Sequence, residues 1–194
     1  MILTGTEIHK ELEKGGIVID PFSPKHLGPN SYDVTLNSKL LVYDYHRDSE
    51  KPYLDMKEDN PTRELHITEE GLVLEPNVLY LGCTNETATS QCYVPMFEGR
   101  SSIGRLGINT HITAGFGDLG WGFTEKEDGN YQCHYPTWTL EIAVVHPVKI
   151  YPNTRIGQVY FLVPQGDISF YKGKYSKQKD PQASQLFKDF KANT

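Results

Sequence analysis

The chain has 194 residues, 38% of them apolar and 23% charged, which suits a globular domain with enough length to bury a core and carry a tail. Its formal net charge is -6. An acidic surface repels polymeric nucleic acid unless its cations cluster, so any phosphate-bearing ligand is expected to be small and held by a few local cations.

Leu3, Thr4, Glu7 and Ile8 fit the N′, N-cap, N3 and N4 positions of a helix, a capping box with a hydrophobic staple. Ile8 and Leu12 share a face, and Gly15-Gly16 end the helix. This segment lacks a basic start followed by an apolar run, so no signal peptide is expected. No apolar stretch approaches the ~20 residues that span a bilayer, and a cytoplasmic protein with no membrane partner is expected.

Beyond the helix the pattern changes to short strands. Residues 31–36, 39–45, 72–75, 78–83, 92–97, 137–145, 148–151 and 155–164 are rich in Val, Ile, Tyr, Phe and Thr and broken by Gly, Pro and Asn, the marks of an all-β barrel or sandwich. Residues 47–63 read as a charged loop, Pro76-Asn77 as a turn, and 122–136 as an exposed loop or hairpin. The polar, basic tail carries a short helical pattern near residues 185–190, with Leu186, Phe187 and Phe190 on one face. Cys83, Cys92 and Cys133 lack paired spacing, which argues against a disulfide framework and for a reducing compartment. Cys133-His134 has no CxxC companion, so no zinc site is expected.

The chemistry is densest in residues 96–108. Gly99 to Gly107 hold two arginines, two serines and three glycines. Glycines let backbone amides approach an anion, Arg100 and Arg105 can fork onto phosphate oxygens, and Ser101 and Ser102 can donate to phosphates or hold a water. A plain turn with solvated arginines is the alternative. Residues 113–120, TAGFGDLG, form a Gly-rich turn in which Asp118 suits a sugar hydroxyl, or else a simple Asx turn. Residues 138–145, WTLEIAVV, are apolar except for Thr139 and Glu141. A carboxylate in a strand that reads as core is costly unless it is paired or working as an acid or base. His111 adjoins the turn, either near the site or merely packed. Trp121 and Trp138 read as core, and Phe116 as a possible gate.

Taken in order, PNSYDVTL, EGRSSIGRLGI, TAGFGDLGW, WTLEI, RIGQVYF and FYKGKYSKQK resemble the dCTP deaminases, within the dCTP deaminase/trimeric dUTPase superfamily, over nearly the whole chain. The resemblance implies a mainly β fold. It implies a distorted, dUTPase-like (β-clip) barrel with an N-terminal helix over residues 1–170, and a C-terminal helical lid over residues 171–194. It implies deamination of dCTP to dUTP and ammonia, with Glu141 as the base, Ser101 and Arg105 at the reaction centre, and the Ala114 carbonyl on the water and the leaving amine. Arg100 and Ser102 become triphosphate ligands, with Ile103 and Gly104 after them as substrate-binding residues of the same turn. Asp118 meets the deoxyribose, Thr139 and Leu140 flank the base, and Tyr171, Lys174 and Gln178 belong to the lid. Mg²⁺ is expected on the triphosphate rather than in a protein cage, without zinc. A homotrimer is implied, with sites between subunits that join residues 99–107 of one chain to Glu141 of the next. Two alternatives stay open. One is a bifunctional enzyme that releases dUMP and pyrophosphate, since Asp118 stands where dUTPases activate water against the α-phosphate. The other is a catalytically silent nucleotide-binding regulator. The 122–136 insertion is longer than usual, and a one-residue slip there would turn Glu141 to the wrong face.

Overall fold

The computed structural model describes residues 1–44 and 51–191. Tyr45, residues 47–50 of the expected loop and the last three residues of the tail lie outside the described residues.

Helix α1 (Gly5–Lys14) starts at Thr4, whose hydroxyl accepts from the Glu7 N–H. It ends at Gly15, which takes a left-handed φ of 79° while the Gly15 and Gly16 amides donate to the Leu12 and Glu11 carbonyls. Ile8 is fully buried and pins the helix to the body. The rest is strand: β1 (Ile17–Asp20), β2 (Tyr32–Thr35), β3 (Lys39–Tyr43), β4 (Thr62–His66), β5 (Leu72–Leu74), β6 (Tyr80–Cys83), β7 (Thr87–Ser90) and β8 (Val94–Gly99). A single turn, α2 (Ser101–Gly104), follows. Then come β9 (Ile108–His111), β10 (Phe123–Glu125), β11 (Tyr131–Cys133), β12 (Thr139–Val144), β13 (Val148–Ile150), β14 (Arg155–Leu162) and the tail helix α3 (Phe187–Lys191).

Pairing is antiparallel throughout the described strands. A five-stranded sheet runs β4-β3-β6-β12-β9 and a three-stranded one β2-β14-β8, with the two-stranded pairs β1-β7, β13-β5 and β10-β11. These sheets wrap one apolar core that includes Tyr32, Leu40, Phe97, Leu140, Ile142 and Phe161. The mainly β fold expected from the sequence is present, but the ladders do not close into one hydrogen-bonded cylinder. Short strands, left-handed turn residues at Asn77 and Asn153 and a bulge between Arg155 and Gly157 interrupt them.

Strands β1, β4, β7 and β9 escape the sequence reading, and β4 begins inside the stretch 47–63 expected as a loop, where pairing with β3 makes it an edge strand. β7 is the clearest case: three of its four residues are polar, yet all four are buried. Just before it lies Glu86, 3% exposed. Its Oε2 accepts from the Thr35 amide at 2.7 Å, and its Oε1 accepts from the Thr35 hydroxyl at 2.8 Å. His26 Nδ1 stands 3.9 Å from Oε1. Glu86→Ala strips acceptors from two buried donors, so it is expected to cost about 3 kcal/mol. That loss reads as a lower urea midpoint at unchanged m-value. A shift equivalent to less than about 0.5 kcal/mol would show that water replaces the carboxylate without penalty.

Candidate active site

Strand β12 alternates cleanly. Leu140, Ile142 and Val144 enter the core while Thr139, Glu141 and Ala143 occupy the opposite face. The register is fixed on both sides, with Glu141 opposite Leu81 of β6 and His111 of β9. Residues 122–136 form the β10–β11 hairpin as an excursion, so the insertion does not displace this register. The strand is therefore not buried on both faces, as its composition suggested, and the Glu141 side chain is 32% exposed.

That face of β12 is one wall of a cavity of about 560 Å³, within the size range of small-molecule sites. Leu79, Leu81, Phe116, Trp121 and Trp138 give it apolar surface. Thr113, Thr139, Asp118 and Glu141 bring hydroxyls and carboxylates, and Ala114 sits between them on the Gly-rich turn. The Thr113 hydroxyl donates to Glu141 Oε2, and His111 Nε2 lies 3.3 Å from the same oxygen. Oε1 has no hydrogen-bond partner among the described residues. A carboxylate anchored through one oxygen keeps the other for a ligand or a water. The turn needs glycine where it packs: a Cβ on Gly117 would lie 2.8 Å from the Trp138 ring.

The tail closes over this cavity. Gln178, 8% exposed, donates from Nε2 to the Thr137 carbonyl at 2.8 Å. Trp121 Nε1 donates to the Tyr175 carbonyl at 2.9 Å, the Gln182 amide to Thr139 Oγ1 at 3.1 Å, and the Ser184 amide to the Tyr43 hydroxyl at 2.9 Å. The tail leaves the body at Phe170, whose ring packs at a tilt against Tyr131 of the hairpin with centroids 4.5 Å apart. It fills a niche that a Cβ on Gly120 would invade at 2.3 Å.

The sequence candidates divide into two groups. Glu141, Ala114, Asp118, Thr139, Tyr171 and Gln178 line the cavity. Leu140 points into the core, so only its backbone is on the site's side. Lys174 does not line the cavity; its Nζ lies 2.5 Å from Asp189 Oδ2. Ser101, Ser102, Gly104 and Arg105 are exposed on and just after α2, Ile103 is buried beneath them, and none of the five lines the cavity. Arg100, at the N-cap of α2, is also outside it and pairs with Asp33, Nε to Oδ1 3.2 Å. Within one chain, the Ser/Arg segment and the carboxylate are therefore separate surfaces.

The sequence reading missed Thr113, Tyr175 and Tyr43. Thr113 adjoins Ala114, and its short polar side chain beside a carboxylate strand was the available signal. Trp121 and Trp138 are buried, with ring centroids 4.9 Å apart, and they also form the cavity floor. Among the described residues, no group of three or more His, Cys, Asp and Glu side chains is placed to hold a metal ion. Burial pushes the Cys83 thiol up to about 12, so beside Thr139 in the β6–β12 ladder it stays protonated and is no nucleophile at neutral pH. No helix among the described residues is long and apolar enough to cross a membrane.

A mainly β chain whose cleft sets carboxylates and hydroxyls between aromatic walls has the make-up of a small-molecule site. A family model described as dCTP deaminase-like matches residues 2–162, and the chain belongs to that family. It is 47% identical over 191 residues to a "dCTP deaminase, dUMP-forming" of Clostridium beijerinckii, covering 98% of this chain and 99% of that one. It is 50% identical over 192 residues to a protein of the same name from Leptospira biflexa, covering 98% of each. Among solved structures it is similar to the 2′-deoxycytidine 5′-triphosphate deaminase of Agrobacterium tumefaciens, with a TM-score of 0.56 at 18% identity. That match takes in 84% of this chain and 48% of the other, and it supports the fold alone.

Proposed function

We propose that this protein deaminates dCTP and carries the nucleotide on to dUMP, with release of ammonia and diphosphate. The observation that carries the reading is the shared cavity, where Glu141, tethered through one oxygen, and Asp118 line the same walls. The sequence favoured release of dUTP. The relatives at 47% and 50% identity are named dUMP-forming, which favours the bifunctional alternative instead.

In the first step a water adds to C4 of cytosine. Glu141 takes a proton from the water and passes it to N3, giving a tetrahedral C4 that bears hydroxyl and amine. Collapse to the carbonyl breaks the C4–N bond, and the hydroxyl proton leaves with ammonia. The Ala114 carbonyl orients the water and the departing amine, and the backbone of Thr139 and Leu140 holds the ring edge. In the second step another water attacks the α-phosphorus, activated by Asp118, and the bond to the β-phosphate oxygen breaks. Two waters enter for one ammonia and one diphosphate.

Ser101 and Arg105 join Glu141 from a neighbouring copy in a homotrimer. This reading fits their exposure on a surface of the chain separate from the cavity. Arg100, Ser102, Ile103 and Gly104 form the phosphate-binding turn of the same segment. Tyr171, Lys174 and Gln178 act in a lid over the nucleotide. Mg²⁺ would be carried in on the triphosphate, where it needs few protein ligands. A cytoplasmic location fits a nucleotide substrate and three free cysteines.

Incubation of the protein with dCTP and MgCl₂ tests the reading. Nucleotide chromatography and an ammonia assay should show one ammonia and one diphosphate per dUMP. Accumulating dUTP without dUMP would restore the monofunctional reading, and absence of ammonia would leave a silent binder.

A further inference from the structure

Beside the α2 turn, three strands bring one carboxylate between two guanidiniums. β14 pairs with β2 on one side and β8 on the other. Asp33 sits on β2, Arg100 just past the end of β8, and Arg155 at the start of β14. Asp33 Oδ1 is 3.2 Å from Arg100 Nε, and Asp33 Oδ2 is 3.2 Å from Arg155 Nη1. The Asp33 side chain is 16% exposed, whereas the Arg100 and Arg155 side chains are 29% and 47% exposed.

The charges do not balance. A single carboxylate neutralises one guanidinium, so the trio keeps one net positive charge in a partly desolvated place. Among the described residues neither arginine has a second carboxylate within ion-pair reach. Arg100 is held through Nε, which leaves both its Nη groups. Arg155 is held through Nη1, which leaves Nη2 and Nε. Two like charges tied to the same anchor repel each other, and a second anion between them relieves that repulsion. The anchored guanidiniums are also preorganised, so less side-chain entropy is lost when they bind. A surface ion pair formed for its own sake contributes little and gives no reason to recruit two cations to one carboxylate.

We propose that Arg155 is a second phosphate ligand, held beside Arg100 by Asp33, and that the pair binds the outer phosphates of a nucleoside triphosphate. This rests on the reading of Arg100 as a phosphate ligand. It adds Arg155 as a binding residue and Asp33 as the positioning residue behind both.

Arg155→Gln tests it, since the side chain is half exposed and its loss leaves no hole. The KM for dCTP and the inhibition constant of tripolyphosphate should both rise about 10-fold, the worth of one charge-assisted hydrogen bond. The kcat of ammonia release should stay unchanged. Arg155→Lys, which keeps the charge without the fork, should recover part of the loss. Competitive inhibition by deoxycytidine, which has no phosphate, should not move. Unchanged inhibition by tripolyphosphate would overturn the proposal, as would an equal weakening of deoxycytidine, which would mark Arg155 as structural. Should wild-type protein release no ammonia from dCTP, the deaminase reading fails, and direct calorimetric titration with tripolyphosphate still decides the anion site.

Discussion

Glu141→Gln is expected to slow ammonia release from dCTP by about 10³-fold, inside the 10²–10⁴-fold range of positioned proton transfer, while dCTP binding changes by no more than about threefold. The substitution keeps the volume of the side chain and an amide oxygen that still accepts from the Thr113 hydroxyl. What it removes is basicity. An amide cannot take the proton from water and hand it to N3, so the barrier to C4 attack rises while the ground-state contacts persist. The loss should therefore fall on kcat and leave KM nearly alone, the signature of a group that acts in the transition state. Stopped assays of ammonia together with fluorescence or calorimetric dCTP binding measure both halves. Ammonia release within tenfold of wild type would remove Glu141 from the base position. Weakened binding with matching loss of rate would make it a ligand instead.

How much of this was legible in the sequence differs by element. Helix α1 was legible because its signals are local: Thr4 and Gly15 satisfy backbone groups of the same helix, although the Glu7 carboxylate pairs with Lys10 and does not close the capping box. Most apolar strands were legible from β-branched runs, although β1 (Ile17–Asp20) escaped despite one. β7 was not, because what makes Thr89 and Ser90 a buried strand lies far along the chain. Thr89 donates to the Trp121 carbonyl at 2.6 Å, and Ser90 donates to the Gly16 carbonyl at 2.6 Å. A polar side chain is a good core residue only where a distant acceptor meets it, and composition is blind to that acceptor. Glu86 escaped for the same reason, since its partner Thr35 is 51 residues away.

The site shows the same division. Glu141 was singled out as a carboxylate in an apolar run, but composition could not choose its face. Pairing with β6 and β9 does so, and it leaves the side chain about one-third exposed rather than buried. The residues at 99–107 were legible as an anion-binding turn from their types alone, yet their exposure away from the cavity became visible only in the fold. The family resemblance implied sites that join two chains, and a single chain presents the two groups on separate surfaces. A trimer joins them in the proposed enzyme. The Asp33 link between Arg100 and Arg155 joins positions 33, 100 and 155 through sheet pairing, and no local spacing rule reaches across those distances.

Asp118→Asn carries the second large effect, and it reads out as a change of product. If one cavity serves both steps, the deamination machinery around Glu141 and the water aimed at the α-phosphorus are separable. The carboxylate of Asp118 is exposed on the cavity wall at the Gly-rich turn, where an isosteric amide fits without repacking Gly117 against Trp138. The amide retains hydrogen bonding to a sugar hydroxyl but loses the capacity to draw a proton from water. Diphosphate release should therefore fall by about 10²-fold or more, while ammonia release continues, so that dUTP accumulates where wild type gives dUMP. Chromatography of the nucleotides at matched ammonia yield separates the outcomes. Undiminished dUMP would mean that another group activates the second water. Equal loss of ammonia and dUMP would place Asp118 in substrate binding common to both steps. Accumulated dUTP would show that the two reactions share a cavity but use different carboxylates.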